Sequence, residues 1–266
     1  MAVINNYQYG NVKIVQIFPT GGSSGTWTVP NDFTSNNFVM CIGGGGGGYA
    51  ALNVGPWRGG GGGACVVYNN LILTRGSPIT FWVGAGGNSN DTTATGNGGL
   101  TWFINNTQYY QAGGGIGGNA KTGATPGLGG SVLAGTITPN FANAGGSTNN
   151  PAAAAGGGAG GPNAAGQNAA FNGGQGDGTY GGLGGTTANT TSINGNAGTE
   201  VYLGGGLYTG PGGGGSFYST TYAGYGVVGG GGGASNGGSV AGSGGQGMII
   251  IYYNPQVSED NVVWIS

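Results

Sequence analysis

Two uninterrupted glycine tracts, residues 43–48 and 59–63, bracket the segment YAALNVGPWR, and glycine-rich blocks recur through most of the chain. Glycine has no side chain to bury, and ordering it in regular structure costs about 0.5–1 kcal/mol per residue relative to alanine. It fills 72 of 266 positions, roughly four times the usual share. An ordered fold must therefore recover a large entropy loss from something other than side-chain burial. Collagen is excluded, because GGLGGTTANTTSINGNAG breaks the Gly-X-Y register at once. Two readings remain open for the middle of the chain. In one, blocks such as GGGIGGNA, GGGAGGP and GGGGGASNGG form left-handed extended helices with three residues per turn, stacked with ordered loops, whose bare faces let neighbouring backbones hydrogen-bond to each other. In the other, they form a flexible, disordered insertion. Composition bears on the choice: solvated disorder goes with high net charge, whereas this chain has a formal charge of -2 and carries 14 Tyr, 8 Phe and 5 Trp.

The large apolar residues concentrate in the first 110 positions and in the last 20, so the core is expected from the two ends. Short alternating or β-branched runs lie between turn signals at residues 12–18 (VKIVQIF), 26–29 (TWTV), 38–42 (FVMCI), 64–68 (ACVVY), 79–83 (ITFWV) and 100–105 (LTWFIN). Each reads as a strand. At residues 248–253, MIIIYY places three isoleucines in a row, which requires burial on both faces and hence a central strand. The only helical candidate, PAAAAG at 151–156, is too short to stand alone. The expected fold is all-β: an antiparallel β-sandwich closed by the C-terminal strand, with a glycine-rich insertion at 111–246 and almost no α-helix. Residues 1–10 read as an N-terminal attachment segment, 11–253 as the glycine-rich β domain, and 254–266 as a C-terminal tail.

Enzyme chemistry finds little footing. Histidine is absent, which removes the usual nucleophile–imidazole arrangements and imidazole metal ligands. The internal acids Asp32, Asp91, Asp177 and Glu200 are far apart in sequence, so a carboxylate pair is a remote alternative. Lys121-Thr122 follows alanine where a phosphate loop needs glycine. Lys13, Arg58, Arg75 and Lys121 are too few to hold a nucleic-acid backbone. The expectation is no enzyme, no cofactor, no metal and no nucleic acid. Cys41 and Cys65 flank the first glycine loop and could meet across a hairpin, but they read as free, buried thiols.

The order of motifs carries a resemblance. FPTGGSSGTWTVPNDFTSNNFVMCIGGGGGG, then ITFWVGAGGNS, further glycine blocks and a closing GGQGMIIIYY resemble the glycine-rich domain of bacteriophage tail-fibre proteins, over about residues 17–253. The resemblance implies packed polyglycine helices with variable loops at one end that touch the host surface. It also implies a virion component, partnered by other virion proteins and by a host surface glycan or outer-membrane protein. Fibre symmetry makes a homo-oligomer, first of all a trimer, the expected assembly. No shaft sequence precedes the domain, so attachment to another protein is expected, on a fibre, on the tail or on the capsid. The N-terminus MAVINNYQYG lacks the basic and apolar regions of a secretion signal, which fits synthesis in a host cytoplasm.

Within that frame the opening segment reads as a loop stemmed by its glycine tracts. Tyr49, Trp57 and Arg58 are candidate receptor contacts: aromatic rings give broad contact at low entropy cost, and arginine clamps carboxylate or phosphate in two-pronged fashion. Packing of Trp57 back onto the glycine bundle is the alternative. FYSTTYAGYG supplies Phe217, Tyr218, Tyr222 and Tyr225 as a second candidate loop, with Tyr180, Tyr202 and Tyr208 weaker. In the tail, Val262, Val263, Trp264 and Ile265 are candidate assembly contacts that could add a strand to a neighbour or fold back on their own sheet. Three function classes follow: a receptor-binding adhesin, a structural virion protein such as a capsid decoration or fibre-assembly cap, and, more remotely, an ice-binding surface.

Overall fold

The computed structural model describes residues 2–18, 21–49, 59–89, 96–104, 111–112, 114–115, 127–133, 137–148, 155–169, 174, 176, 202–204, 207–208, 214, 224–234 and 240–256. Its strands are β1 (Val3–Tyr9), β2 (Val12–Phe18), β3 (Ser23–Thr28), β4 (Asn37–Ile42), β5 (Cys65–Asn69), β6 (Pro78–Val83), β7 (Trp102–Ile104), β8 (Gln111–Ala112), β9 (Val132–Leu133), β10 (Phe141–Asn143), β11 (Tyr202–Gly204), β12 (Leu207–Tyr208) and β13 (Met248–Tyr253). Among the described residues there is no α-helix.

The C-terminal strand is central, as its isoleucines require. β13 lies between β2 and β4 in an antiparallel sheet of order β1-β2-β13-β4-β5-β10. Ile249, Ile250 and Ile251 are fully buried because both faces of this sheet are covered. On one face Ile249 and Ile251 join Val15, Ile17, Val39 and Cys41 in a core shared with Trp27, Phe81, Val83 and Phe103 of a second antiparallel sheet, β3-β6-β7. This is a sandwich-like arrangement of two antiparallel sheets. Phe33 closes its edge, with ring centroids 5.7 Å from Trp27 and 5.0 Å from Tyr253. On the other face Ile250 and Met248 pack with Ile14, Met40, Ile42 and Val67, over which Ala159 and Val228 of the glycine-rich region are laid. The strand β1 belongs to residues read from sequence as an attachment segment. It pairs along its whole length with β2, from Val3 opposite Phe18 to Tyr9 opposite Val12.

Cys41 and Cys65 are both free and buried. They sit one register step apart, Cys41 opposite Val66 and Cys65 opposite Ile42. Successive side chains alternate across a sheet, so Cys41 enters the core between the sheets and Cys65 the opposite core. No disulfide can join them, and burial pushes the Cys41 thiol well above its ordinary pKa.

The glycine tracts continue straight out of the strands and hydrogen-bond to one another. In segment 43–48, Gly43 and Gly46 donate to Ala64 and Gly61, Gly44 and Gly47 to Gly99 and Gly96, and Gly45 and Gly48 to Gly245 and Gly242, all at 2.8–2.9 Å. The direction of donation thus repeats every third residue. The carbonyls of Gly44, Gly45 and Gly46 accept from Gly115, Gly87 and Gly232, so six neighbouring segments surround this one. The network is therefore not confined to 111–246: its centre follows directly from β4. Alanine would clash at most of these positions. A Cβ on Gly44 or Gly47 would overlap the carbonyl oxygen of Ala85 or Asn88, and one on Gly45 or Gly48 that of Gly230 or Gly233. Cα hydrogens consequently point at carbonyl oxygens, adding weak C–H···O contacts to the N–H···O network. Glycine is needed here for close approach, since positive φ among the described glycines is confined to Gly10, Gly21, Gly22, Gly76 and Gly229.

Two outcomes are expected. Gly45→Ala should lower unfolding stability by about 3 kcal/mol, the upper range for overpacking, because the obstructing atoms are backbone. Gly10→Asn, at φ 57 with nothing near its Cβ, should cost less than about 1 kcal/mol, since asparagine tolerates that conformation. Denaturant melts of the two variants check this. The second outcome concerns Tyr253, whose hydroxyl donates to Asp32 Oδ1 at 3.4 Å beside the Lys13–Asp32 ion pair. Burial first, then the Asp32 charge and hydrogen bond, push its pKa from 10.0 up to about 12. A raised pKa means that the fold favours the neutral phenol. The contribution is thus complete below pH 10.0 and fades as pH rises toward about 12. Tyr253→Phe should flatten the alkaline loss of stability over that window by on the order of 2 kcal/mol relative to the parent, as read from melts at stepped pH.

Candidate functional site

Hydrogen-bond levels along the glycine segments define two ends of this region. Gly43, Gly63, Gly84 and Gly247 lie next to strands β4, β5, β6 and β13. At the opposite end, Gly48 donates to Gly242, Gly47 to Gly96, and Gly233 to Gly224. The residues that enter or leave segments 50–58, 90–95, 215–223 and 235–239 therefore gather at one rim, facing away from the sheets. Three-way cross-linking by backbone hydrogen bonds gives that rim a rigid support.

Tyr49 stands on the rim directly after Gly48 and is half-buried. Its stem has the geometry expected from the sequence: residues 43–48 and 59–63 run side by side, with Gly43 donating to Ala64 at 2.9 Å and Gly46 to Gly61 at 2.8 Å, which continues the β4–β5 pairing. Trp57, Arg58, Phe217, Tyr218 and Tyr222 lie outside the described residues, as do Tyr180 and the tail candidates Val262, Val263, Trp264 and Ile265. Tyr202 and Tyr208 are register partners in the antiparallel β11–β12 pair. Tyr225 is 57% exposed. It lines a concavity of about 330 Å³ with Phe18, Val228, Ser243 and Gln246, on the flank of the glycine region and reaching down to the sheet. Tyr49 thus ends its segment at the rim, and Tyr225, next after Gly224 of the rim, lines the flank.

Sequence reasoning missed a surface at the other end of the sheet. There Phe38, at the start of β4, faces Tyr252 of β13 and Asn69 of β5. Two concavities, of about 380 and 840 Å³, adjoin at Phe38 and are lined by asparagines and aromatic rings. The available signal was the recurrence of asparagine just outside the strand ends, at Asn36, Asn70, Asn140 and Asn254. It was passed over because asparagine is common in turns. Among the described residues no group of three or more acidic, cysteine or histidine side chains is placed to hold a metal ion.

No curated protein matches the chain. The family model described as "Glycine-rich domain" matches residues 19–254. That span begins just after β2 and ends just after β13, so it takes in the three-stranded sheet, the glycine network and the closing strand. The matched span covers most of the chain, and the protein belongs to the glycine-rich domain family.

Proposed function

We propose that this protein is a bacteriophage virion adhesin, carried on a tail fibre or tail tip, which recognises the host cell surface through loops at the rim of its glycine network. The observation that carries this reading is the convergence of the segment ends at one rim, held by backbone hydrogen bonds in three directions. A recognition surface needs contact residues presented on a rigid support, because ordering loops on binding costs affinity. The glycine segments are left-handed, three-residue-per-turn helices of the polyglycine type. The threefold repeat of donor directions and the absence of positive φ along segment 43–48 support that geometry. β13 closes the sandwich, and the polyglycine bundle extends from its end. The order of motifs, from GTWTVP through the glycine tracts to GGQGMIIIYY, supports the tail-fibre setting.

In this reading Tyr49, Trp57 and Arg58 act with Phe217, Tyr218, Tyr222 and Tyr225 as contact residues, and the protein binds by surface recognition without catalysis. Its partners are a host surface glycan or outer-membrane protein on one side and other virion proteins on the other. Fibre symmetry makes a homotrimer the assembly, with Val262, Val263, Trp264 and Ile265 as attachment contacts.

The test is binding of the purified, fluorescently labelled protein to a panel of bacterial strains. The comparison is a variant in which residues 50–58 and 217–223 are replaced by Gly-Ser of equal length. Saturable binding to at least one strain, reduced at least about tenfold in the variant, a loss of about 1.4 kcal/mol, is the expected result. A folded protein that binds none of the strains would instead favour a structural virion role.

A further inference from the structure

The second face of the six-stranded sheet is only half covered by the glycine region. Near β5 and β13 it is sealed by Ala159 and Val228, while toward the start of β4 it opens into the two concavities that adjoin at Phe38. The register sets a row across the strands: Ile14 opposite Tyr252, Tyr252 opposite Phe38, Phe38 opposite Asn69. Phe38 and Tyr252 meet edge to face, with centroids 5.6 Å apart. On the far side of Asn69, its backbone N–H donates to the side chain of Asn140 at 2.7 Å, and Phe141 next to it is 49% exposed. Aromatic rings and amides thus line two concavities that meet at Phe38 and form the groove.

We infer that this groove is a binding site for a neutral oligosaccharide. Sugars present apolar C–H faces, which stack on aromatic rings, and hydroxyl groups, which both donate and accept. Phe38, Tyr252 and Phe141 supply the first kind of contact. Asparagine supplies the second, since its amide carries donors and an acceptor on one planar group. No charged residue lines either concavity. Lys13, the register partner of Tyr253, is paired with Asp32, and no cation lines the groove to offset the charge of a phosphorylated or acidic sugar. Both volumes fall in the range of about 300–1,000 Å³ common for small-ligand sites. Asn69 gives the strongest pointer. It lines the first concavity, and its Oδ1 is buried with no hydrogen-bond partner, a state that costs free energy. Rotation of that amide toward a ligand hydroxyl would satisfy it.

The inference deepens the adhesin reading by naming a ligand class, and it puts the sugar site at the opposite end of the domain from the rim loops. The full chain is tested by calorimetry and on an immobilised panel of neutral hexose and N-acetylhexosamine oligosaccharides, with sialylated and phosphorylated counterparts. Saturable binding of a neutral member is expected. Its affinity should fall at least about tenfold in Phe141→Ala and in Asn254→Ala, which alter exposed side chains in different concavities, with thermal midpoints unchanged. Preference for the charged counterparts, binding indifferent to both substitutions, or silence across the neutral panel would each overturn the inference. Cell binding that depends on residues 50–58 and 217–223 while the panel stays silent removes the groove and leaves the adhesin reading standing. Sugar binding in the groove by a protein that binds no cells does the reverse.

Discussion

Everything in this structure depends on how closely one glycine backbone can approach another. Around segment 43–48 a neighbour's carbonyl oxygen occupies the place of a Cβ, and the N–H groups are spent on neighbours in three directions in turn. In an ordinary domain side-chain burial opposes chain entropy. Here much of that work falls to backbone hydrogen bonds and C–H···O contacts between chains held at bare-backbone distance. The arrangement is cooperative, because each segment is positioned by several others. Gly60 donates to Gly232, Gly232 to Gly46, and Gly46 to Gly61, one residue along from the start, so three segments lock one another in register.

The sheets fix where this network begins. The hydrogen bond from Gly43 to Ala64 is the continuation of the Ile42–Cys65 pair, so β4 and β5 set the relative height of the two tracts that leave them. Gly247 enters β13 while donating to Gly84, the residue after β6, which ties the three-stranded sheet to the six-stranded one through glycine backbone. A hydroxyl joins the same level: Thr101, fully buried, accepts from the Gly84 N–H through its Oγ1. The apolar cores therefore define register, and the glycine network propagates it away from the sheets.

This division explains what the sequence reveals and what it hides. β2 and β13 were legible to the residue because β-branched runs bounded by turn residues have few alternatives, and MIIIYY demanded a central place. β1 was missed because NNYQY is polar: as an edge strand it leaves Val3 45% exposed and needs little apolar surface. The small two-stranded pairs of β8 with β9 and β11 with β12 were equally invisible, since two- and three-residue strands carry no period. Glycine tracts signalled close packing without saying which tract neighbours which. That pairing is decided by strand order, with β13 between β2 and β4, and not by any local pattern. The asparagine-lined groove was hidden for the same reason. Phe38, Asn69, Asn140 and Tyr252 are spread across the whole chain, and only strand order and register make them neighbours.

Because the network is built from main-chain groups, it constrains side chains unevenly. At Gly44, Gly45, Gly47 and Gly48 an added side chain meets a neighbour's carbonyl oxygen, whereas Tyr49, one step further, carries a large side chain and is half-buried. The described bonds of the support join main-chain groups of the glycine segments, so they do not depend on which side chains stand beyond the rim. A protein under pressure to alter what it recognises gains from that separation. The groove on the sheet lacks this freedom: Phe38 packs on Tyr252, and Asn140 holds the Asn69 backbone, so its lining also shapes the fold. In the adhesin reading the two sites suit different tasks, the rim for contacts that must vary and the groove for a ligand that does not.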